Sequence, residues 1–410
     1  MSSLRDPPTP AVHGGASFEA LGTDFRQLHR KGEIVNADVL DAWYDASPRA
    51  LGAIAEHLPW LLRTSPPTHA DGLVRAVAEA RGLPEENIVV GAGSSSLACL
   101  AIPQLVKAGD RVLLVDPSYG EYAHLLEVGL GMRCQRTRLL PELGFRPNLE
   151  TILADMATAD VVLLVNPNNP TGTRFTREDL ALILEATPRF GWLIVDETYV
   201  DFAPDGTSIE SWVPEHDNLI VLKSLSKFLA LSGARAGYLA GPPDFVDKIR
   251  LSSPPWAVSL IAQVAVVEAL RDTEYYRQKS EETRLLRETL AEWIGSIPGV
   301  KVHESVTNFL MLEILSDITS AEVVARCREH GVYLRNCDDQ GRDLGGRFVR
   351  TAVKDAASNE RIASALREVL PAPAVSEVLP EVTAPTESIA PESAEPPSVT
   401  PPEAPVEGGS

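Results

Sequence analysis

The stretch Leu219-Ile220-Val221-Leu222-Lys223-Ser224-Leu225-Ser226-Lys227, continued by Ser232-Gly233-Ala234-Arg235-Ala236-Gly237-Tyr238, runs from an apolar strand into a loop of hydroxyl and basic side chains. Four apolar residues in a row, ended by polar ones, have the length of a strand covered on both faces. The same junction recurs upstream, where runs 87–90, 112–115, 161–165 and 193–195 are each bounded by Gly, Pro, Asp or Asn. Amphipathic stretches lie between them. Leu73, Val77 and Ala80 share one face of a helix over 73–81, 97–106 is an apolar helix, and 177–186 gathers Leu180, Ile183 and Leu184 on one side. This alternation over residues 72–239 predicts βαβ units around a mainly parallel sheet, hence an α/β fold. It also puts a loop at the carboxyl end of each strand, where open α/β sheets bind their ligands.

Downstream of residue 255 the pattern changes to a long helical region, 258–294, followed by short strands at 300–303 and 309–312. We read 255–370 as a second, smaller α+β domain. Residues 36–62 are assigned to it as well, because they precede the regular alternation and contain a helix-like run at 50–58. Residues 63–254 then form the large α/β domain, and 1–35 an N-terminal arm. Residues 371–410 are rich in Pro and Glu and contain no Lys, Arg or aromatic residue. Such a segment cannot bury enough apolar surface to offset the entropy of ordering it, and a disordered tail is expected.

The chain of 410 residues, 44% hydrophobic, is long enough for a sizeable core. Its formal net charge of −20 argues against nucleic acid or an anionic membrane as partner, since binding to phosphates needs clustered Lys and Arg. Residues 1–15 lack the basic and apolar regions of a secretory signal, and no window is apolar over the length of a membrane span. Cytoplasmic residence is the default expectation. Cys99, Cys134, Cys327 and Cys337 have neither CxxC spacing nor a histidine cluster, so neither a metal site nor a disulfide framework is indicated.

Five constellations carry chemistry. Gly91-Ala92-Gly93-Ser94-Ser95-Ser96 follows a strand and opens a helix, whose first N–H groups can grip a phosphate. With Asp116 at the end of the next strand it equally resembles a dinucleotide fingerprint, although Ser96 replaces the third glycine; an ordinary tight turn is the third reading. In Asp116-Pro117-Ser118-Tyr119-Gly120-Glu121-Tyr122, the Tyr119 ring is either a packed loop aromatic or a platform for a planar ligand. The rigid loop Asn166-Pro167-Asn168-Asn169-Pro170-Thr171-Gly172 can present the Asn169 amide to a ligand oxygen, or keep it for local turn bonds. Asp196, in Val195-Asp196-Glu197-Thr198-Tyr199, ends an apolar strand and needs a partner there; a protonated ring nitrogen, a metal or an arginine would serve.

The fifth constellation is the opening stretch itself. Schiff-base chemistry needs an amine partly desolvated and close to other cations, and Lys227 follows an apolar strand with Arg235 eight positions on. Recognition of a phosphate needs hydroxyls and a guanidinium fork, which Ser224, Ser226 and Arg235 supply in the same window.

Together, NPNNPTG, VDETY and SLSK…R in this order are similar to the fold-type I pyridoxal-phosphate aminotransferases, and within them to the histidinol-phosphate aminotransferase-like branch that also contains threonine-phosphate decarboxylases. The resemblance runs from about residue 36 to 370. It implies a large domain with a seven-stranded, mainly parallel sheet, pyridoxal 5′-phosphate as cofactor, and a homodimer with its active site at the subunit boundary. By motif, Lys227 corresponds to the lysine that carries the cofactor and Asp196 to the acid that pairs with its pyridine nitrogen. Tyr199 and Asn169 correspond to donors to the ring oxygen, and Tyr119 to the stacking aromatic. Gly93, Ser94, Ser95, Ser224, Ser226 and Arg235 correspond to the phosphate cup. Arg350, in Phe348-Val349-Arg350-Thr351, and Arg335, in Tyr333-Leu334-Arg335, correspond to arginines that bind the substrate anion. Two departures concern the cofactor phosphate and the substrate, in that order. Ser65, in Arg63-Thr64-Ser65-Pro66, stands where the branch has a tyrosine contributed by the neighbouring subunit, and Leu40-Asp41-Ala42-Trp43-Tyr44-Asp45 replaces an Asn-rich loop.

The expected activity is transamination between an amino acid or amino-phosphate and a 2-oxo acid, with Lys227 moving the proton. The alternative within the same chemistry is decarboxylation of a phosphorylated amino acid. An NAD-dependent oxidoreductase would leave Lys227, Arg235 and the NPNNPTG loop without a role, and a non-enzymatic regulator would need a DNA-binding module that the sequence does not offer.

Overall fold

The computed structural model describes residues 14–370. The tail expected over 371–410 and the first part of the N-terminal arm lie outside the described residues. Strands β1 (Val35–Asn36), β2 (Ile88–Gly91), β3 (Val112–Asp116), β4 (Cys134–Arg138), β5 (Val161–Val165), β6 (Trp192–Asp196), β7 (Leu219–Ser224) and β8 (Gly237–Ala240) come first in the chain. They are followed by β9 (Val300–Val302), β10 (Phe309–Ile314), β11 (Val332–Tyr333), β12 (Arg335–Asn336) and β13 (Phe348–Ala352). A seven-stranded sheet has the order β2-β8-β7-β6-β5-β3-β4. Only β8 runs antiparallel to its neighbours. The expected α/β architecture with a mainly parallel seven-stranded sheet is therefore present.

The period of two along each strand divides this sheet's side chains between two apolar layers. Val162, Leu164, Leu193, Val195, Leu219 and Val221 enter one layer, which is closed by Leu73 and Val77 of helix Asp71–Arg81, Ile183 of helix Arg177–Ala186, and Ala262 and Val266 of helix Leu260–Leu270. Val161, Leu163, Val165, Ile194, Ile220 and Leu222 enter the other, closed by Leu97, Ala101 and Ile102 of helix Ser94–Leu105 and by Val246 and Ile249 of helix Pro243–Ser252. A one-residue slip in any of these strands would exchange the two sets, so the register is fixed by packing on both faces. A separate, antiparallel sheet has the order β12-β13-β10-β9. Its core takes Leu310, Leu312 and Val349 together with Ile294 of helix Thr273–Gly295 and Ile362 and Leu366 of helix Ala356–Val369.

All described residues belong to one compact unit. Within it, Ala50 of helix Pro48–Arg63 and Ala262 of helix Leu260–Leu270 lie in the core of the seven-stranded sheet, although both fall in segments read from sequence with the smaller body. The helical region read at 258–294 consists of two helices, the mostly apolar run Leu260–Leu270, which serves the large sheet, and the charged, amphipathic run Thr273–Gly295, which serves the small one. Two strands of the seven-stranded sheet escape a search for apolar runs. β4 is a polar edge strand, Cys-Gln-Arg-Thr-Arg, and β8 is only Gly-Tyr-Leu-Ala.

Beneath the carboxyl ends of β6 and β7 lies a buried charge network. The Lys223 ammonium, on a side chain 2% exposed, sits 3.1 Å from Glu197 and 3.4 Å from Glu210. Tyr238 Oη donates to Glu210 at 2.5 Å, and Arg81 pairs with Asp201 at 2.9 Å. Burial alone would push Lys223 down, but Glu210, Asp201 and Glu197 hold its pKa above the usual lysine value. Removing the Lys223 ammonium strands the buried Glu197 carboxylate without a counter-ion, so Lys223→Ala is expected to cost about 3–5 kcal/mol of stability in urea denaturation. The double replacement Lys223→Met with Glu197→Gln is expected to recover part of it.

Candidate active site

The carboxyl ends of β2, β3, β5, β6 and β7 converge on one side of the sheet, and a cavity of about 270 Å³ opens there. Ser94, Ser95, Tyr119, Asn169, Asp196, Tyr199, Ser224, Ser226, Lys227, Arg235, Arg335 and Arg350 all line it. Residues separated by up to 256 positions in the chain are thus brought together.

One end of the cavity is built largely from backbone. Helix Ser94–Leu105 starts immediately after Gly93, whose φ of +97° is open to glycine and strained for other residues. The first-turn N–H groups of this helix lack intrahelical acceptors and favour an anion. A Cβ on Gly93 would stand 2.6 Å from Arg235 Nη2, so the guanidinium lies directly against the turn. Arg235 Nη1 donates to Ser226 Oγ at 3.3 Å and to the Ser232 carbonyl at 3.0 Å, and Ser226 N donates to Ser224 Oγ at 3.2 Å. The missing side chain of Gly237 lets β8 pass this turn, because a Cβ there would come within 2.5 Å of Ser94 N and 2.9 Å of the Lys223 carbonyl.

Across the cavity, Asp196 is 4% exposed. Its carboxylate accepts from Tyr122 Oη at 2.5 Å and from Thr198 N at 2.8 Å. Burial pushes the Asp196 carboxyl up, and the bonds from Thr198 and Tyr122 together with nearby Lys223 only partly offset that. Such an acid is suited to a cationic hydrogen-bond donor entering the cavity. The Tyr119 ring meets Tyr122 edge to face at 5.6 Å and 82°. Burial raises the pKa values of Tyr119 and Tyr199 and keeps both as phenols.

The side formed by the small sheet is cationic. Arg350 donates to Asn169 Oδ1 at 2.5 Å and to the Asp38 carbonyl at 2.8 Å, while its buried Nε has no hydrogen-bond partner. An anion would satisfy that donor. Arg335 Nη2 donates to Asp339 at 2.6 Å. Lys227 Nζ pairs with Asp41 Oδ1 at 3.0 Å.

The sequence reading missed four residues here. Tyr122 lies one helical turn beyond Tyr119, a spacing that could have flagged it. Asp41 figures in that reading only as part of the loop 40–45, and Lys354 and Gln340 carry no such signal, because their neighbours are remote in the chain. Lys354 Nζ donates to the Asp41 carbonyl at 3.0 Å. Segment 64–69, with Ser65 and His69, contributes nothing to the cavity lining. Asp116, the acid of the dinucleotide reading, also stays outside the cavity and instead accepts from Arg342 N at 3.1 Å and from Arg136 at 3.4 Å.

Comparisons with known proteins identify the family. The family model for aminotransferase class I and II matches residues 35–366. Histidinol-phosphate aminotransferase 2 of Archaeoglobus fulgidus is 30% identical over 337 residues, covering 82% of this chain and 93% of that protein. Among solved structures, the histidinol-phosphate aminotransferase of Sinorhizobium meliloti, in complex with pyridoxal-5′-phosphate, superposes with a TM-score of 0.76 at 23% identity, over 86% of this chain and 96% of that one. The L-threonine-O-3-phosphate decarboxylase of Porphyromonas gingivalis superposes with a TM-score of 0.71 at 23% identity, over 82% and 99%. At those identities the two structures establish the fold. The chain belongs to the class I and II aminotransferase family, as a pyridoxal-phosphate-dependent enzyme of its histidinol-phosphate aminotransferase-like branch.

Two outcomes follow from the site's physics. Gly237→Ala forces β8 away from the helix start, and a loss of about 2 kcal/mol in denaturation is expected together with weakened phosphate binding. Burial, opposed by Asp41 and helped by Lys227, pushes Lys354 from 10.5 down to about 8. Between those values the folded chain has released a proton that the unfolded chain still holds, so stability rises with pH there. Lys354→Met is expected to flatten that rise in denaturation curves recorded across the same window.

Proposed function

We propose that the chain transfers an amino group between an amino acid or amino-phosphate, of the kind histidinol phosphate represents, and a 2-oxo acid. The observation that carries the reading is that Lys227 and Asp196 line one cavity whose remaining wall offers Ser94 and Ser95 at a helix start, together with Arg335 and Arg350. Pyridoxal phosphate fits this donor set: Gly93, Ser94, Ser95, Ser224, Ser226 and Arg235 would hold its phosphate, and Asp196 its protonated ring nitrogen. Tyr119 would cover the ring, with Asn169 and Tyr199 at its oxygen. When bound, that cofactor supplies an electron sink for the bonds at the substrate's α-carbon.

The chain's own residues do the rest. Arg350 binds the substrate anion through the fork whose Nε is without a partner, which orients the α-carbon. Lys227 takes a proton from that carbon on Nζ and returns it as general acid. Tyr122 and Thr198 keep the Asp196 carboxylate pointed into the cavity. Expected outcomes are an absorbance in the visible for the purified protein, loss of turnover in Lys227→Ala, and a fall in kcat of about a hundredfold or more in Asp196→Asn. An unchanged rate in Lys227→Ala would refute the assignment.

A second reading, decarboxylation of a phosphorylated amino acid, is favoured by the pairing of Arg335 with Arg350 in one cavity, which can take a carboxylate and a phosphate together. Product analysis separates the two: release of carbon dioxide without dependence on a 2-oxo acid selects decarboxylation. The proposal includes a homodimer, with segment 64–69 offered to the neighbouring site, and an active monomer in gel filtration would remove that part. It also includes cytoplasmic residence and the division of the chain into a large domain, 63–254, and a small one, 36–62 with 255–370.

A further inference from the structure

Residues 36–47 cross the site as a strap tied down on both sides. Before Asp41, Ala37 N donates to the Tyr333 carbonyl at 2.9 Å, Arg350 holds the Asp38 carbonyl, and Asn308 Nδ2 donates to the Leu40 carbonyl at 3.2 Å. After it, Tyr44 Oη donates to the Phe228 carbonyl at 2.6 Å, and Ser47 N donates to Tyr276 Oη at 3.1 Å. Tyr276 Oη donates in turn to the Leu229 carbonyl at 3.0 Å. The strap therefore ties the end of β13 to the residues that directly follow Lys227. Its one carboxylate aimed at the lysine is Asp41, 3.0 Å from Nζ, and Lys354 grips the carbonyl of the same residue at 3.0 Å.

We propose that Asp41 is a positioning residue for Lys227: it holds the amine at a fixed point whenever that amine is not bonded to the cofactor, and Lys354 anchors Asp41 while opposing its charge. The inference rests on Lys227 being the lysine that carries the cofactor. A long lysine side chain released from a ring has many rotamers, and a charge-assisted bond to a backbone-tethered carboxylate selects one of them. When Nζ takes a proton from the substrate, the C–H bond breaks and the N–H bond forms. The electron pair of the broken bond stays with substrate and cofactor, and the new ammonium meets the Asp41 carboxylate. Burial pushes Asp41 up, but Lys227, Ser232 and Lys354 together hold it below its ordinary value, so it is ionised at neutral pH. Lys354, at about 8, is then mostly charged.

The two neighbours of Lys227 have opposite charge, and this gives a test with opposite signs. In the full chain stripped of cofactor, acetic anhydride at neutral pH reacts with neutral amines only, and mass spectrometry reads acetylation of Lys227 against exposed Lys248. Removing the carboxylate in Asp41→Asn should speed Lys227 labelling by about three- to fivefold, the range of a partly exposed ion pair. Removing the cation in Lys354→Met should slow it by about twofold. If Asp41→Asn leaves the labelling rate unchanged, or if both variants speed it together as simple loosening would, the proposal fails. In the loaded enzyme Asp41→Asn should lower kcat with little change in KM for the amino donor; a change confined to KM would make Asp41 a substrate contact and overturn the positioning role. Borohydride reduction separates this inference from its parent. Cofactor found on a residue other than Lys227 overturns both, whereas cofactor on Lys227 with unaltered labelling in Asp41→Asn overturns only this one.

Discussion

A carboxylate at the end of an apolar strand is the constraint around which this molecule is arranged. Asp196 ends β6 inside the seven-stranded sheet, where an ion without partners would be costly. Two neutral donors, the Thr198 amide and the Tyr122 phenol, take one oxygen each, and neither supplies the positive charge that would balance the site. Below it, Lys223 is already committed to Glu197 and Glu210. The acid is therefore kept available for a cation that arrives from the cavity, and the buried pairs behind it leave it few ways to rotate out of place.

Because the strands are covered on both faces, their carboxyl ends are fixed in height and spacing, and each loop starts from a known point. That is how Ser94, Asn169, Asp196 and Lys227, from four different strand ends, come to face one volume. The small sheet adds side chains from the opposite wall, with Arg335 on β12 and Arg350 on β13 paired in register across the ladder.

What was legible in the sequence divides along the same line. The runs ending at Val165, at Asp196 and at Leu222 announce themselves by length and apolarity, and the residues after them follow in order, so most of the large sheet and many of the residues that line its cavity could be read directly. β8 could not be found that way. Four residues starting with glycine carry little pattern, and its place between β2 and β7 is set by pairing partners remote in sequence. The Lys227–Asp41 pair, separated by 186 positions, and the Lys223 network belong to the same class: single charged residues whose meaning depends on which strand end or strap the fold lays beside them. The helical region 258–294 shows the converse, where local pattern was correct and only the change of partner sheet at Arg271 was invisible.

The two ends of the cavity differ in what they are made of. At Gly93 and Gly237, contact distances leave no room for even a methyl group, so the cradle is carried by main chain and by the absence of side chains. At Arg335 and Arg350, it is carried by long side chains from two short strands. Divergence of chemistry within such an enzyme is thus channelled: drift can rewrite the outer wall residue by residue while the inner one stays frozen. A directed-evolution library aimed at new amino donors would find its tolerant positions in 36–47 apart from Asp41 and in 336–349, and its dead ends around the glycine turn.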